Sequence, residues 1–403
     1  MKNFKREKSL FKPLDIRGIR VPNRVVLSPM QMYMAKDDGC ATDGHLVHLG
    51  KYATAKFGVV FTEVLCVEKR GRSTYSDCGI WSDKHIPKLK KISDFIRSEG
   101  AIPAAQIGHC GPKSSRQRPH EGLQPLSQLN GLAGEKPWTI VSCSNVPAAP
   151  GYDKPKSLSL PQVRSVIKKF GQAADRCNQA GFDILDVHAA HGYLIHSFLS
   201  PISNFRNDEY GGCKENRFKI AIDIATEIRK FWPIKKPLFF RLSCIDRVEG
   251  GIEIDDTLEL SSLLKAAGVD LIDCSSGGIK GPNSLFSLAS QEPPKPGFQV
   301  PFSEKIKKEC DLLTMAVGLI LKPEQADQII ADDKADLVAL GREALFNPNW
   351  VLHALRELSG NNNFEGWPSN IGWWLEVRER MSISSNPNNW RVGSAAHNSP
   401  KLK

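Results

Sequence analysis

The chain has 403 residues, of which 41% are hydrophobic and 24% are charged, so a disordered or collagen-like protein is excluded. Its formal net charge is +10, but the lysines and arginines are scattered, and we therefore expect a solvated surface and no nucleic-acid-binding patch. No apolar run reaches the roughly 20 residues that a transmembrane helix needs, so we expect no membrane span.

The ten cysteines form no CxxC pair, which argues against a zinc-ribbon or iron–sulfur site. Several of them lie inside apolar stretches, where a small buried thiol is expected. The basic N-terminus has no apolar segment behind it, and we do not expect it to be a secretory signal. These features predict free thiols in a reducing compartment, the cytoplasm.

Eight short apolar runs along the chain predict β-strands. They are continuous rather than alternating, which is typical of parallel strands that are buried on both faces. The runs cover residues 24–29, 59–64, 102–107, 184–188, 238–243, 270–274, 314–317 and 336–340.

Helical periodicity fills several of the intervals between these strands. Residues 159–180 place apolar side chains at a spacing of 3.6 residues, and Ser159 with Gln162 forms a capping box at their start. Similar patterns predict helices over 214–230 and 323–331. Strands that alternate with helices predict an α/β fold, a single (β/α)8 TIM barrel, and a doubly wound open sheet is the rival.

Two connections are long, and they follow the third and fourth predicted strands over 108–158 and 188–215. In a barrel both would lie at the same end and shape a pocket there. We expect one barrel domain over 1–381, including a helical C-terminal segment. Residues 382–403, which are rich in Ser, Asn and Pro, predict a flexible tail.

The end of the fourth predicted strand carries two histidines and a tyrosine, and in a barrel the chemistry concentrates at such carboxyl ends. His188 and His191 are three residues apart, and Tyr193 follows. The two imidazoles can direct N–H groups at one point and the phenol can supply a proton, as reduction of a polarised double bond requires. Two alternatives stay open: a zinc site, and histidines that are merely hydrogen-bonded in a core.

Other predicted strands also end in polar residues or contain one. Gly318, after the seventh strand, and Gly341 with Arg342, after the eighth, suit a phosphate site, although a helix cap and a surface arginine would look the same. Arg241 lies inside the apolar fifth strand, where its guanidinium needs an anion, a carbonyl-rich ring or a core carboxylate. Gln106, near the end of the third strand, can both donate and accept along the edge of a flavin or pyrimidine ring.

Taken together, these residues resemble the Old Yellow Enzyme family of FMN-dependent oxidoreductases, and most of all its thermophilic-like, NADPH dehydrogenase branch. The resemblance extends over about residues 10–346. Its longest segment is HAAHGYLIHSFLSPISNFRNDEYGGCKENR at 188–217, and shorter ones are SPMQMY at 28–33, LIDCSSG at 271–277 and GRE at 341–343. The resemblance implies a barrel that binds FMN and is reduced by NADPH or NADH.

The resemblance also implies which residues contact the cofactor. Gln106 matches the residue at the pyrimidine edge of the flavin, and Arg241 matches the arginine beside N1 and the C2 carbonyl. Gly318, Gly341 and Arg342 match the phosphate site. The residues implied to line the flavin ring are Ser28, Pro29, Met30, Gln31 and Val64.

For the substrate, the resemblance implies that His188 and His191 hold a carbonyl oxygen, that Tyr193 donates a proton and that Tyr33 is a second phenol of the site. The implied reaction passes hydride from NADPH through FMN to the activated C=C bond of an α,β-unsaturated carbonyl compound, and the implied assembly is a homo-oligomer. A desaturation on the same flavin scaffold is the nearest alternative. A metal-dependent hydrolase built on the two histidines and a non-catalytic anion-binding barrel are remoter ones.

Three features depart from the family pattern. Gln31 stands where the branch has a cysteine near the flavin C4 carbonyl, so its amide can still donate there but the influence of a thiol on the redox potential is lost. Pro112 stands where relatives carry an arginine, so one contact to flavin or phosphate is missing. The C-terminal segment with Trp373, Trp374 and Arg378 does not match the ending of the family.

Overall fold

The computed structural model describes residues 8–127, 129–131, 134–280, 294–360 and 363–380. We number the strands in these residues β1 to β12 in chain order. They are Leu14–Ile16, Ile19–Val21, Val25–Leu27, Val59–Cys66, Ile102–Gly108, Val141–Ser142, Lys156–Ser157, Ile184–Ala189, Leu238–Ser243, Leu271–Ser275, Leu313–Val317 and Leu337–Leu340.

The α-helices in the same residues are numbered α1 to α11. They are Asp43–Thr54, Ile86–Ser98, Leu160–Gln179, Leu194–Leu199, Lys214–Arg229, Ile254–Ala266, Val300–Cys310, Pro323–Ala331, Arg342–Phe346, Trp350–Ser359 and Ser369–Arg380. None of these helices combines the length and the apolar character that a bilayer crossing requires.

Eight parallel strands close into a barrel in the order β3-β4-β5-β8-β9-β10-β11-β12. The barrel closes where β12 pairs with β3, in the register Val338 to Val25. The predicted TIM barrel is therefore confirmed, the open doubly wound sheet is wrong, and each predicted strand coincides with one barrel strand. All residues of β4 and β9 are buried, as expected for strands with helices on one face and the barrel interior on the other.

The amino ends of the strands fill the barrel interior with apolar side chains, among them Ile184, Phe239 and Leu271. Ile16 and Val21, from the antiparallel β1–β2 hairpin, pack against these side chains. The hairpin therefore covers the end of the barrel that carries no predicted site residue.

Side chains two residues apart on a strand point to the same side, so the next inward-facing residue of each strand can be identified. In four of the strands this next inward-facing residue is polar. We call the four buried residues at this level the polar layer: Gln106 of β5, Asp186 of β8, Arg241 of β9 and Asp273 of β10. Buried polar groups need hydrogen-bond partners. The polar layer thus marks the carboxyl end of the barrel as the place for a site.

Both long connections leave this same end of the barrel. The connection after β5 carries β6 and β7, and the connection after β8 carries α4. The predicted capping box is present at the start of α3, where Ser159 is the N-cap and Gln162 accepts from the Ser159 backbone N–H at 2.9 Å. The predicted tail over 382–403 lies outside the described residues.

The capping box gives a first prediction, on stability. Replacing Ser159 by Ala should lower the free energy of unfolding by about 1 kcal/mol, because the first turn of α3 loses an acceptor for its backbone N–H groups. Ser165→Ala, in the exposed middle of the same helix, is the matched control and should change stability little. Urea unfolding of both variants measures the difference, and equal effects would contradict the role of the cap.

Candidate active site

A cavity of about 460 Å³ opens at the carboxyl ends of β3, β9, β10, β11 and β12. Its size is within the range of pockets that hold small molecules or cofactors. It is lined by Ser28, Pro29, Met30, His191, Arg241, Arg247, Ser275, Ser276 and residues 298–299, 317–321 and 339–343.

One end of the cavity carries the residues that the sequence assigned to a phosphate. Gly318 follows β11, and Gly341 with Arg342 follows β12. Gly318 has a φ of +118°, and a Cβ there would lie 2.9 Å from Nε2 of Gln299, so only glycine fits without strain. The Arg342 side chain is exposed at this rim. The loops after strands 7 and 8 are where TIM barrels place phosphate sites.

Arg241 connects the cavity with the polar layer. Its Nη1 donates to Oγ of Ser28 at 3.4 Å, and its Nε lies 3.4 Å from Oδ2 of Asp273. Asp273 is thus the core carboxylate that was one of the predicted partners of Arg241. The guanidinium also faces the cavity. A buried guanidinium between a carboxylate and an open cavity provides a positive charge for an electron-rich ligand.

The rest of the polar layer lies behind Arg241. Nε2 of Gln106 donates to Oδ2 of Asp186 at 2.6 Å, which leaves the Gln106 carbonyl oxygen available to an N–H donor. Burial raises the pKa of both Asp186 and Asp273, and the neighbouring Asp273 adds to the effect on Asp186. The two carboxyl groups were not predicted as site residues. Their sequence signal was an isolated Asp within each of two apolar strands.

Hydrogen bonds link the two histidines of the β8 end in a chain. The backbone N–H of Ala190 donates to Nδ1 of His188 at 3.3 Å, so the ring proton of His188 is on Nε2. Nε2 of His188 lies 3.1 Å from Nδ1 of His191, and Nε2 of His191 lies 2.6 Å from Oγ of Ser275. Burial and the charge of Arg241 hold the pKa of both imidazoles well below the usual value, so both rings are neutral.

His191 is held in a left-handed backbone conformation, with a φ of +58°. Its N–H donates to Oγ of Ser243 at 3.0 Å, and Nζ of Lys113 donates to its carbonyl oxygen at 2.7 Å. Nζ of Lys113 also donates to the carbonyl oxygen of Gly278. Left-handed non-glycine residues cost about 1 kcal/mol or more and persist where the surroundings fix them, often at functional sites.

Tyr193 packs against His188 and hydrogen-bonds to Gln31. The two rings of Tyr193 and His188 stack with centroids 4.4 Å apart. The Tyr193 hydroxyl donates to Oε1 of Gln31 at 3.1 Å, and burial raises the pKa of this phenol. The amide nitrogen of Gln31 is buried and has no hydrogen-bond partner among the described residues.

Two predicted residues lie further from the cavity. Val64 sits on β4 beside Gln106, at a register shift of the strand pair. Tyr33 has a φ of +57° and its ring centroid is 6.4 Å from that of His120, and burial raises its pKa. Neither residue lines the cavity, and the same holds for Gln31, Gln106, His188 and Tyr193.

The structure therefore brings most of the predicted residues together in two groups, to which Val64, Gln106 and Tyr33 do not belong. The first group lines the cavity and comprises Ser28, Pro29, Met30, His191, Arg241, Gly318, Gly341 and Arg342. The second group reaches the cavity through His191, since His188 contacts His191, Tyr193 stacks on His188, and Gln31 accepts from Tyr193. Ser275 also lines the cavity and was not predicted, although it lies within the LIDCSSG segment.

The metal alternative for the two histidines finds little support in the geometry. Two groups of three potential ligands occur in the described part of the chain: His45, Glu63 and Cys78, and Cys66, Asp77 and Cys110. Neither group includes a histidine of the β8 end. Nδ1 and Nε2 of His191 are both engaged by protein atoms.

Comparisons with known proteins place these observations in a family. The chain matches the model of the NADH:flavin oxidoreductase / NADH oxidase family over residues 9–361. An NADPH dehydrogenase of Listeria innocua is 38% identical over 351 residues, which cover 87% of this chain and 95% of the relative. An NADPH dehydrogenase of Bacillus subtilis is 36% identical over 358 residues, which cover 87% of this chain and 96% of the relative.

A solved structure supports the fold. The Old Yellow Enzyme homologue of Zymomonas mobilis superposes with a TM-score of 0.69 at 22% identity, covering 87% of this chain and 92% of that chain. At this level of identity the likeness shows a shared fold.

The barrel and the family match define a TIM-barrel oxidoreductase. The chain belongs to the NADH:flavin oxidoreductase / NADH oxidase family, the Old Yellow Enzyme family, as the sequence predicted. It is an NAD(P)H-dependent FMN oxidoreductase, and its cofactors are FMN and a nicotinamide nucleotide.

The close approach at Gly192 gives a prediction about the site itself. Gly192 has a φ of +72°, and a Cβ there would lie 2.4 Å from the carbonyl oxygen of Gly278. Gly192→Ala should therefore destabilise the protein by more than about 2 kcal/mol. Gly212→Ala is the matched control, because Gly212 has a φ of +80° but nothing within 4 Å of the added Cβ, so only the backbone strain of about 1 kcal/mol remains.

The difference between these two variants isolates the contact next to His191. Guanidinium unfolding of both proteins measures it. Equal losses of stability would show that the loop moves freely and that the left-handed turn is not held by packing.

Proposed function

We propose that this chain is an ene-reductase, which uses NADPH to reduce the activated C=C bond of an α,β-unsaturated carbonyl compound. Bound FMN would supply the hydride-transfer chemistry between the two. The single observation that carries the proposal is the cluster next to the cavity lined by Arg241, in which His188 hydrogen-bonds to His191 and stacks on Tyr193. The role of each residue follows from the group that its side chain can bind or the proton that it can donate.

The residues present fit FMN. Nε2 of Gln31 is a buried donor with no hydrogen-bond partner among the described residues, and a flavin ring offers carbonyl and ring-nitrogen acceptors. Arg241 lines the cavity and adds a positive charge there. Gln106 presents a free carbonyl oxygen in the same region. Gly318, Gly341 and Arg342 would hold the phosphate at the other end of the cavity.

The two histidines can become a pair of donors when an oxygen lies between them. His188 already carries its proton on Nε2, which faces Nδ1 of His191. The hydroxyl of Ser275 can rotate and donate to Nε2 of His191, which leaves the ring proton of His191 on Nδ1. Two neutral N–H groups then converge on one carbonyl oxygen and stabilise the negative charge that develops on it.

Tyr193 would supply the proton to the substrate carbon. Its raised pKa keeps the phenol protonated at neutral pH, and the contact with Gln31 fixes the direction of the hydroxyl. Gln31 thus has two roles in the proposal: its oxygen orients the proton donor, while its amide nitrogen remains available to the cofactor. A cysteine at this position could not do both in the same way.

Two further properties are part of the proposal. All ten cysteines are free thiols, which supports a cytoplasmic location. The resemblance supports a homo-oligomer, and Trp373 and Trp374 of α11 are 53% and 65% exposed, as expected if a partner subunit covers them.

The proton donor gives the prediction that tests this function. Tyr193→Phe should leave FMN bound and its reduction by NADPH unchanged, but slow reoxidation by 2-cyclohexenone by roughly 100-fold or more, because the general acid is lost. Tyr75→Phe is the matched control, since the Tyr75 hydroxyl donates to the Lys136 carbonyl away from the cavity. Stopped-flow measurement of the two half-reactions separates the steps.

Unchanged reoxidation in Tyr193→Phe would remove this residue from the role. If the wild-type protein is not reoxidised by any cyclic enone but oxidises a saturated ketone in air, the desaturation alternative replaces the reductase.

A further inference from the structure

A second cluster of polar side chains lies beside the loop that follows β3. It comprises Glu63 of β4, His45 of α1 and Cys78, and all three are buried. Oε1 of Glu63 lies 2.7 Å from Nε2 of His45, and the same nitrogen lies 3.2 Å from Sγ of Cys78. The cluster borders the large cavity, because Met30 contributes to the lining of both. The reaction proposed above uses none of the three side chains.

The tautomer of His45 shows that the cluster is a hydrogen-bond network rather than a metal site. The backbone N–H of Thr42 donates to Nδ1 of His45 at 3.0 Å, so the ring proton is on Nε2. A protonated Nε2 donates to Glu63 and has no lone pair to offer to a metal ion. His45 occupies the place in the capping box of α1 where Glu or Gln is usual, and its ring connects the helix cap to β4.

A strand irregularity directs Glu63 at the loop after β3. The register of β4 against β5 shifts between Phe61 and Val64, where Glu63 lies. Such irregularities re-aim side chains and are frequent next to active sites. Oε2 of Glu63 accepts from the backbone N–H of Met32 at 2.9 Å, so both carboxylate oxygens are engaged. Glu63 therefore joins α1 to the backbone of the loop.

The loop is held on both sides of a residue in an unfavourable conformation. Tyr33 has a φ of +57°, in the left-handed region that non-glycine residues rarely adopt. Before it, the N–H of Met32 donates to Glu63, and after it, the carbonyl oxygen of Met34 accepts from the Thr42 hydroxyl at 3.3 Å. Such conformations persist where the surroundings fix them, and they are frequent at functional sites.

We propose that Glu63 and His45 form a clamp that positions Gln31 and, through it, the hydroxyl of Tyr193. Gln31 immediately precedes Met32, and its Oε1 accepts from the Tyr193 hydroxyl at 3.1 Å. By fixing the N–H of Met32, the clamp fixes the backbone from which the Gln31 side chain extends. Glu63 and His45 are positioning residues, and their role in the reaction rests on the proton transfer proposed above.

Exchange of the Met32 amide proton tests the clamp independently of activity. The chain has six methionines, so protein labelled with ¹⁵N-methionine gives few amide signals, and Met32→Leu identifies the signal of residue 32. Glu63→Leu, which is similar in size but has no acceptor, should make this proton exchange roughly tenfold faster or more. Glu63→Gln keeps one acceptor and should have a smaller effect.

Asp336→Asn is the matched control for this experiment. Asp336 is also a buried carboxylate that accepts from a backbone N–H, that of Thr314 at 3.0 Å, but it lies at the amino end of β12. It should leave the exchange of the Met32 amide unchanged. Unchanged exchange in Glu63→Leu would overturn the clamp. Should Glu63→Leu not fold, the wild type decides, because a Met32 amide that exchanges as fast as a free loop contradicts the clamp.

The two half-reactions test the role of the clamp. In Glu63→Leu, reoxidation by 2-cyclohexenone should slow by roughly tenfold, because the proton donor is no longer directed, while reduction by NADPH stays unchanged. Glu63→Gln should restore part of the rate. In a Tyr193→Phe background, Glu63→Leu should cause no further loss, since the hydroxyl that the clamp directs is absent.

An equal loss of the reoxidation rate with and without the Tyr193 hydroxyl would overturn this role. An equal loss in both half-reactions would do the same, since it would indicate general damage to the site. If the wild-type protein is not reoxidised by the enone at all, the proposed function fails, while the exchange of the Met32 amide still decides whether the clamp exists.

Discussion

The placement of one buried guanidinium organises the site. Arg241 projects from the middle of an apolar strand into the barrel, where it contacts Ser28 on one side and Asp273 on the other. A cation in such surroundings is stable only if negative or carbonyl-rich groups surround it. Within the described residues Asp273 supplies the carboxylate and Ser28 a hydroxyl acceptor, and Arg241 also lines the cavity. The need to satisfy this charge links the barrel core to the cofactor that the family binds.

The same end of the barrel also carries a rigid arrangement of neutral hydrogen-bonding side chains. His191 is fixed in a left-handed conformation by Ser243 and Lys113, and its ring contacts His188 and Ser275. Because burial and Arg241 lower the pKa of both imidazoles, they act through hydrogen bonds and not through charge. In the proposed function, Arg241 would direct its positive charge at the cofactor, and the two neutral imidazoles would face the substrate.

Much of the fold could be predicted from the sequence. Continuous apolar runs identified each barrel strand, since a strand with helices on one face and the barrel interior on the other has no polar face. The capping box of α3 was readable because both of its partners lie within four residues of each other. The site residues at strand ends could be assigned once the strand count was known, since a barrel gathers those ends together.

What the sequence could not provide are contacts between distant segments. The hydrogen bond from Tyr193 to Gln31 joins residues 162 apart, and the one between His191 and Ser275 joins residues 84 apart. Asp186 was visible as an acid within an apolar strand, yet its relation to Asp273 depends on the register of β8, β9 and β10. The sequence shows that Gln31 departs from the family pattern. Its contact with Tyr193 becomes apparent only in the structure.

The central claim is that the cavity beside Arg241 holds one FMN per chain, and flavin titration tests it most directly. The purified protein should show the visible spectrum of oxidised flavin, and the flavin-free protein should rebind FMN with a stoichiometry of one. Arg241→Met should weaken that binding by roughly tenfold or more, because a charged hydrogen-bond donor is lost. A wild-type protein that is colourless and does not quench added FMN fluorescence at any concentration would contradict the account.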